Sequence, residues 1–171
     1  MMKRITEGAL IILVTVALIS CGGPEEKRAK FFNKGKTLYE QGDFVKARLE
    51  FKNTLQIDPK YAEGFFWLGK AEYQQGRFKT AFGAFSKAVD LNPYLMDAQV
   101  ELGRMLLLSG VMDQAMEKAE LVLAKEPDNP KALVLKGSVL LADEQADAVV
   151  AIMEVLIAAE YTKPEVYTLL A

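Results

Sequence analysis

The sequence contains no histidine and a single cysteine, Cys21. Without an imidazole there is no histidine base, no histidine-containing catalytic triad and no histidine metal ligand, so the side chain that most often titrates near neutral pH is missing. Paired carboxylates in an apolar cleft would be the remaining route to acid–base chemistry. The acidic clusters fall in turns instead: Asp58-Pro59 and Glu126-Pro127-Asp128-Asn129-Pro130 sit where such side chains cap helices. No glycine-rich loop follows a strand pattern, so no phosphate cradle is readable. The net charge is −2 with 26% charged residues, and nothing in that balance points to nucleic acid or to an anionic bilayer. An enzyme is not expected, and what remains is a binding or structural role.

Long hydrophobic runs are scarce too. The one clear run, Ala9 to Ile19, follows the basic start MMKR and is interrupted only by Thr15. It is about half the ~20 residues that a helix needs to span a bilayer, and it suits the apolar region of an export signal. It closes with Leu18-Ile19-Ser20-Cys21, which resembles the bacterial lipoprotein box, where a small residue precedes the cysteine that becomes acylated. The resemblance implies a signal peptide over residues 1–20, an acylated tether over 21–27 and lipidation of Cys21. An uncleaved membrane anchor is the plainer alternative. One acyl chain gives only marginal membrane binding, and the diacylated or triacylated cysteine implied here would suffice. Gly22, rather than an aspartate, follows the cysteine; by the rule for enteric-type bacteria this favours the outer membrane over the inner, with the chain facing the periplasm. The only thiol is then committed to the anchor, leaving no cysteine nucleophile or zinc site. No cofactor is expected beyond that covalent lipid.

What the chain does have is a period. Gly35, Gly69, Gly103 and Gly137 recur at one constant interval, and the same interval separates Gly42, Gly76 and Gly110, then Ala47, Ala81 and Ala115, then Pro59, Pro93 and Pro127. Each marker has a physical reading. The first glycine lies inside a helix, where it costs about 1 kcal/mol relative to alanine, and its recurrence predicts a neighbouring helix too close for a side chain. The second falls where the first helix must stop, consistent with a left-handed cap. The alanine is a small knob at a close crossing. The proline ends the second helix, because the residue before it disfavours helical geometry. Phe31, Phe65 and Trp67 on first helices, and Phe51 and Phe85 on second helices, read as core at helical spacing.

Two amphipathic helices in a unit of this length, about 34 residues, closely resemble the tetratricopeptide repeat. That resemblance implies an all-α fold, an α-α superhelix of about four helix-turn-helix repeats plus a partial fifth. The repeats cover residues 28–61, 62–95, 96–129 and 130–163. The second is the best match, with Leu68-Gly69, Tyr73, Gly76, Ala81, Phe85, Ala88 and Pro93 at marked positions. The fourth is degenerate, with Glu144 in the turn-glycine place and Val149 in the alanine place. Residues 164–171 read either as the opening of a fifth repeat in a longer chain or as a capping helix.

In this fold the first helices line the concave face, where ligands usually lie. The repeat register puts Phe32, Lys36 and Tyr39 there from the first unit, Phe66, Lys70 and Tyr73 from the second, and Val100, Arg104 and Leu107 from the third. The fourth adds Val134, Ser138 and Leu141. Lys36, Lys70 and Arg104 then form a ladder of like charge flanked by aromatic rings. Such a face suits an extended or helical peptide segment carrying acidic residues or a C-terminal carboxylate. Ordinary solvated lysines on an exposed helix are the alternative. The carboxylate clamp of cytosolic chaperone-binding members uses asparagines that this chain lacks, so that specificity is not carried over.

The function expected is a lipid-anchored periplasmic scaffold that binds a protein partner in its groove and helps assemble an envelope machine for secretion, pili or exopolysaccharide export. Membrane contact is expected through the lipid alone, and no nucleic acid partner is expected. The phrase FKNTLQIDP, Phe51 to Pro59, is similar to one in exosortase-associated lipoproteins of this family, and pilotins are a further group that the chain resembles. A glycan- or peptidoglycan-binding lipoprotein using Phe32, Tyr39, Phe66 and Tyr73 as stacking surfaces is the alternative, as is an adaptor for an envelope enzyme.

Overall fold

The computed structural model describes residues 23–161. The leader, Cys21 and the segment 164–171 lie outside the described residues. Among the described residues eight helices follow one another: α1 (Pro24–Glu40), α2 (Phe44–Ile57), α3 (Ala62–Gln74), α4 (Phe78–Leu91), α5 (Met96–Leu108), α6 (Met112–Leu123), α7 (Pro130–Ala142) and α8 (Ala146–Ala158). They pair in sequence order as helix hairpins, and among the described residues there is no strand. The expected all-α superhelix is formed.

The turn inside each hairpin is set by backbone chirality. Gly42, Gly76 and Gly110 adopt φ of 79°, 70° and 76°, a region open to glycine and penalised for side chains. The residue after each glycine donates its N–H back into the preceding helix: Asp43 to Leu38 O at 2.9 Å, Arg77 to Glu72 O at 3.0 Å and Val111 to Leu106 O at 2.9 Å. These bonds satisfy carbonyls that the helix end leaves orphaned. The degenerate fourth turn keeps the same geometry without glycine. Glu144 takes φ 59° and Gln145 N donates to Leu140 O at 3.0 Å.

Packing within and between hairpins follows the other markers. A β-carbon on Gly35 would lie 2.6 Å from Phe51 Cε1, and one on Gly103 would lie 2.5 Å from Leu135 Cδ2. Ala47, Ala81 and Ala115 are fully buried where second helices cross their partners. Phe66, Phe85, Val100, Leu106, Val122 and Leu135 belong to one core cluster running through the second, third and fourth units. Burying apolar surface at roughly 25 cal/mol per Å² is what holds the units to each other.

One buried position departs from that pattern. Leu38, Leu106 and Leu140 hold equivalent places in the first, third and fourth units, and the second unit carries Glu72 in that place. Glu72 is 4% exposed. Its Oε1 lies 3.8 Å from Arg48 and 4.0 Å from Lys52, and its Oε2 lies 3.8 Å from Arg77. These are ion pairs at the limit of contact, and Oε2 has no hydrogen bond. The sequence match gives this marked place to Tyr73. The repeat period instead puts Glu72 there, one residue earlier, and Tyr73 lines the inner cavity, as its place on the concave face required.

Candidate functional site

The first helices of the hairpins, α3, α5 and α7, present side chains at three- and four-residue spacing to one common face, so that residues a helical turn apart stack above one another. Between them lies a cavity of about 410 Å³, within the range of ligand pockets. Lys70 and Tyr73 enter it from α3, and Glu101, Arg104, Leu107 and Leu108 from α5. Lys131, Val134, Leu135 and Ser138 enter from α7, and Tyr161 from beyond the end of α8.

The charges here are largely compensated. Arg104 pairs with Glu101 on its own helix at 3.6 Å, and Lys131 Nζ donates to Asp97 Oδ1 at 2.6 Å. Burial pushes the Lys131 ammonium down, but the hydrogen bond to Asp97 and the charges of Asp97 and Glu101 outweigh it and hold it above the ordinary lysine value. Lys70 is held differently. Its Nζ lies 4.3 Å from the ring centroid of Trp67, 4.9 Å from that of Tyr39 and 5.6 Å from that of Phe66. Lys36 Nζ is also over Trp67, at 5.3 Å. Contacts of this kind contribute about 0.5–1 kcal/mol each at exposed sites.

Of the nine residues read from the sequence as partner-binding, Lys70, Tyr73, Arg104 and Leu107 meet in this cavity, joined by Val134 and Ser138. Phe32, Lys36 and Tyr39 do not line it. The Phe32 ring packs against Phe51 at 6.0 Å and edge-on to Tyr61 at 5.0 Å. Tyr39 packs edge-on to Phe44 and Trp67 and accepts a hydrogen bond from Gln74, and burial raises its pKa above the ordinary tyrosine value. Phe66 and Val100 are corrected: they belong to the core, 7% and 1% exposed. The Phe66 ring turns toward Phe85 on the second helix of its own hairpin, with centroids 6.1 Å apart, because an apolar ring gains more from burial than from facing water. The uniform ladder is corrected as well. Arg104 is paired with an acid, while Lys36 and Lys70 share an indole.

Sequence reasoning missed Trp67 as the partner of both lysines, and Glu101, Leu108, Lys131 and Tyr161 as cavity residues. For Lys131 a signal was present, since Asp97 stands one repeat period before it with the opposite charge. Tyr161 carries no repeat signal. Among the described residues no group of His, Cys, Asp and Glu side chains is placed to hold a metal, and no helix is long and apolar enough to cross a membrane.

Residues 35–76 match the family model described as TPR repeat, and residues 62–95 match that described as tetratricopeptide repeat. No curated protein matches the sequence. Similar solved structures include a crystal structure of MamA, 23% identical over 92% of each chain with a TM-score of 0.69. The second TPR domain of human RPAP3 in complex with the HSP70 peptide SGPTIEEVD is 19% identical, covers 68% of this chain and 98% of that one, and has a TM-score of 0.63. The first TPR of Spaghetti (RPAP3) bound to the HSP90 peptide SRMEEVD is 22% identical, covers 68% and 93%, and has a TM-score of 0.65.

Proposed function

From a tetratricopeptide superhelix whose first helices enclose a charged cavity, we propose that this chain is a lipid-anchored scaffold of the bacterial envelope that holds a segment of a partner protein on its inner face. The observation that carries this reading is the meeting of Lys70, Tyr73, Arg104 and Leu107 in one cavity. It is open enough for a few side chains of a peptide, sets leucine and valine side chains beside polar ones, and carries the Lys70 ammonium and the Arg104 guanidinium, which an acidic group would engage in competition with Glu101. Two similar structures hold peptides in the same fold. The anchor is Cys21, the face is periplasmic, and the role is assembly of a secretion, pilus or export machine, in the outer membrane rather than the inner. Glycan stacking is the weaker alternative. Phe66 is buried, and the indole of Trp67 already has two ammonium groups over it.

The test is co-purification of the chain from membranes with partners identified by mass spectrometry, alongside the Lys70→Glu/Arg104→Glu double variant and Cys21→Ala. We expect one envelope protein to be enriched with the wild type and lost with the double variant, whose circular dichroism stays unchanged. We expect Cys21→Ala to leave the membrane fraction. A partner retained by the double variant sinks the cavity reading, and a Cys21→Ala chain still in membranes sinks the lipid anchor.

A further inference from the structure

Large apolar side chains stand exposed at several places on the described surface, among them Val45 and Leu49 on α2 and Val150, Val155 and Ile157 on α8. One set, Phe78, Phe82, Leu108, Val111 and Met112, lies at or beside the turns joining α3 to α4 and α5 to α6. Phe78 is 53% and Leu108 68% exposed. Phe78 and Met112 hold equivalent places in neighbouring repeats, and Phe44 holds that place in the first, half-buried against Tyr39. The first repeat carries Glu40 where the third has Leu108, and Asp43 where it has Val111. Turn positions are normally polar because they face solvent, and the repeat geometry does not require apolar groups at the Leu108 and Val111 places.

The edge at these turns is continuous with the cavity. Tyr73 lines the cavity, and its ring meets that of Phe78 edge-on at 5.4 Å. Leu108 lines the cavity while standing mostly in water, and Val111 and Met112 follow it across the turn. An apolar surface thus runs from the cavity wall over the turn and onto the start of α6. Contiguous exposed apolar surface of this kind marks interaction sites.

We propose that the partner segment held in the cavity continues over this edge, and that it is amphipathic. An acidic residue lies at the cavity beside Lys70 and Arg104, and two or three large apolar side chains, at three- or four-residue spacing, seat on Phe78, Leu108 and Met112. This deepens the groove reading and rests on it. The edge contributes affinity through burial, and the cavity contributes register through charge.

The test is selection from a phage-displayed library of random peptides, each long enough for four helical turns, against the full-length chain, followed by titration of the selected synthetic peptides. The variants are Leu108→Ser and Met112→Ser, both at exposed positions, and the Lys70→Glu/Arg104→Glu pair. We expect selected peptides to combine an acidic group with paired apolar residues. They should bind at least ~10-fold more weakly to each serine variant, and should weaken with the charge reversal as well. Acidic peptides that bind the serine variants as tightly as the wild type overturn the edge while leaving the cavity reading intact. Selection of no peptide at all overturns both. Wild-type chain that dimerises in sedimentation while Leu108→Ser stays monomeric gives the edge to a second copy and overturns the peptide assignment.

Discussion

The ring of Phe85 occupies the space that a β-carbon on residue 69 would fill. Its Cδ1 and Cε1 each lie 2.7 Å from that point, and Phe51 stands to Gly35 in the same way at 2.6 Å. A buried aromatic ring has little freedom to retreat, so overpacking there costs about 1–3 kcal/mol, against the roughly 1 kcal/mol that alanine gains over glycine in a helix. We expect Gly69→Ala to lower stability by up to about 2 kcal/mol in urea unfolding. Gly83 in α4 is the opposite case, with nothing within 4 Å of its β-carbon position. Gly83→Ala should raise stability by up to about 1 kcal/mol. Equal signs for the two substitutions would remove the steric account of the repeating glycine.

Arg28 and Asp58 close the first repeat, with the guanidinium 2.7 Å from Oδ2 and the Lys60 N–H donating to Oδ1 at 3.1 Å. The side-chain hydrogen bond from Arg28 is the main reason that Asp58 is held below the ordinary aspartate value. A carboxyl with a lowered native pKa contributes stability that is complete above its unfolded value of about 3.9 and is lost as pH falls through the native one. Asp58→Asn should therefore be less stable than the wild type at neutral pH. The gap should shrink below about pH 4, as followed by urea midpoints across the acid range. A gap that stays constant to low pH would mean the pair acts through shape alone.

The parts of the fold that were legible in the sequence are those fixed by backbone geometry and close approach. Gly42, Gly76 and Gly110 had to be glycine-like because the turn needs positive φ, and Gly35 and Gly69 because a phenyl ring abuts them. Glu144 shows the limit, since a residue with a β-carbon took the same left-handed place without any compositional signal. The inner face was legible to the extent that it follows the period, which found Lys70, Tyr73, Arg104 and Leu107. Phe66 and Val100 share that helical stripe but pack into the core that runs through the units, Phe66 against Phe85, and the stripe alone does not say where the opening begins. Lys131 was legible only as the opposite charge one period after Asp97, and Tyr161 reaches the cavity from beyond the last described helix, where the repeat carries no marker for it.

Glu72 holds a buried place that leucine holds in the other repeats. Its three cationic neighbours are more exposed than it is: Arg48 is 22%, Lys52 48% and Arg77 50% accessible at the side chain. Removing one member of a buried pair is costly when the other charge is stranded away from water, and replacing buried ions by packed apolar groups is often neutral or stabilising. Here Lys52 and Arg77 can hydrate in place, and Arg48 Nε is buried without a hydrogen bond already in the presence of Glu72. We expect Glu72→Leu to match or exceed wild-type stability, and Glu72→Ala, which leaves a cavity, to lose about 1–3 kcal/mol. A Glu72→Leu chain that unfolds at markedly lower urea would show that the long ion pairs organise the junction of the first two repeats.

Lys70 both stands over aromatic rings and lines the cavity, and a substitution can separate the two. Its ammonium sits over the rings of Trp67 and Tyr39, and Lys36 reaches only Trp67. Methionine keeps the aliphatic stem and removes the charge, so Lys70→Met exchanges the cation–π contact for an uncharged thioether contact with the same rings. At about 0.5–1 kcal/mol per contact at partly exposed sites, Lys70→Met should lose about 1 kcal/mol, and Lys36→Met less. Trp67→Leu removes the shared ring, and in that background Lys70→Met should cost visibly less. The difference measured in a double-mutant cycle is the coupling itself. Coupling near zero would mean that the ammonium is not held by the indole and that Lys70 serves the cavity alone. Coupling of the expected size means that an acidic ligand drawing Lys70 toward the cavity must first lift it from the rings. Binding by Lys70→Arg, which also stacks on aromatic faces, should then stay near wild type, while Lys70→Met weakens binding and stability together.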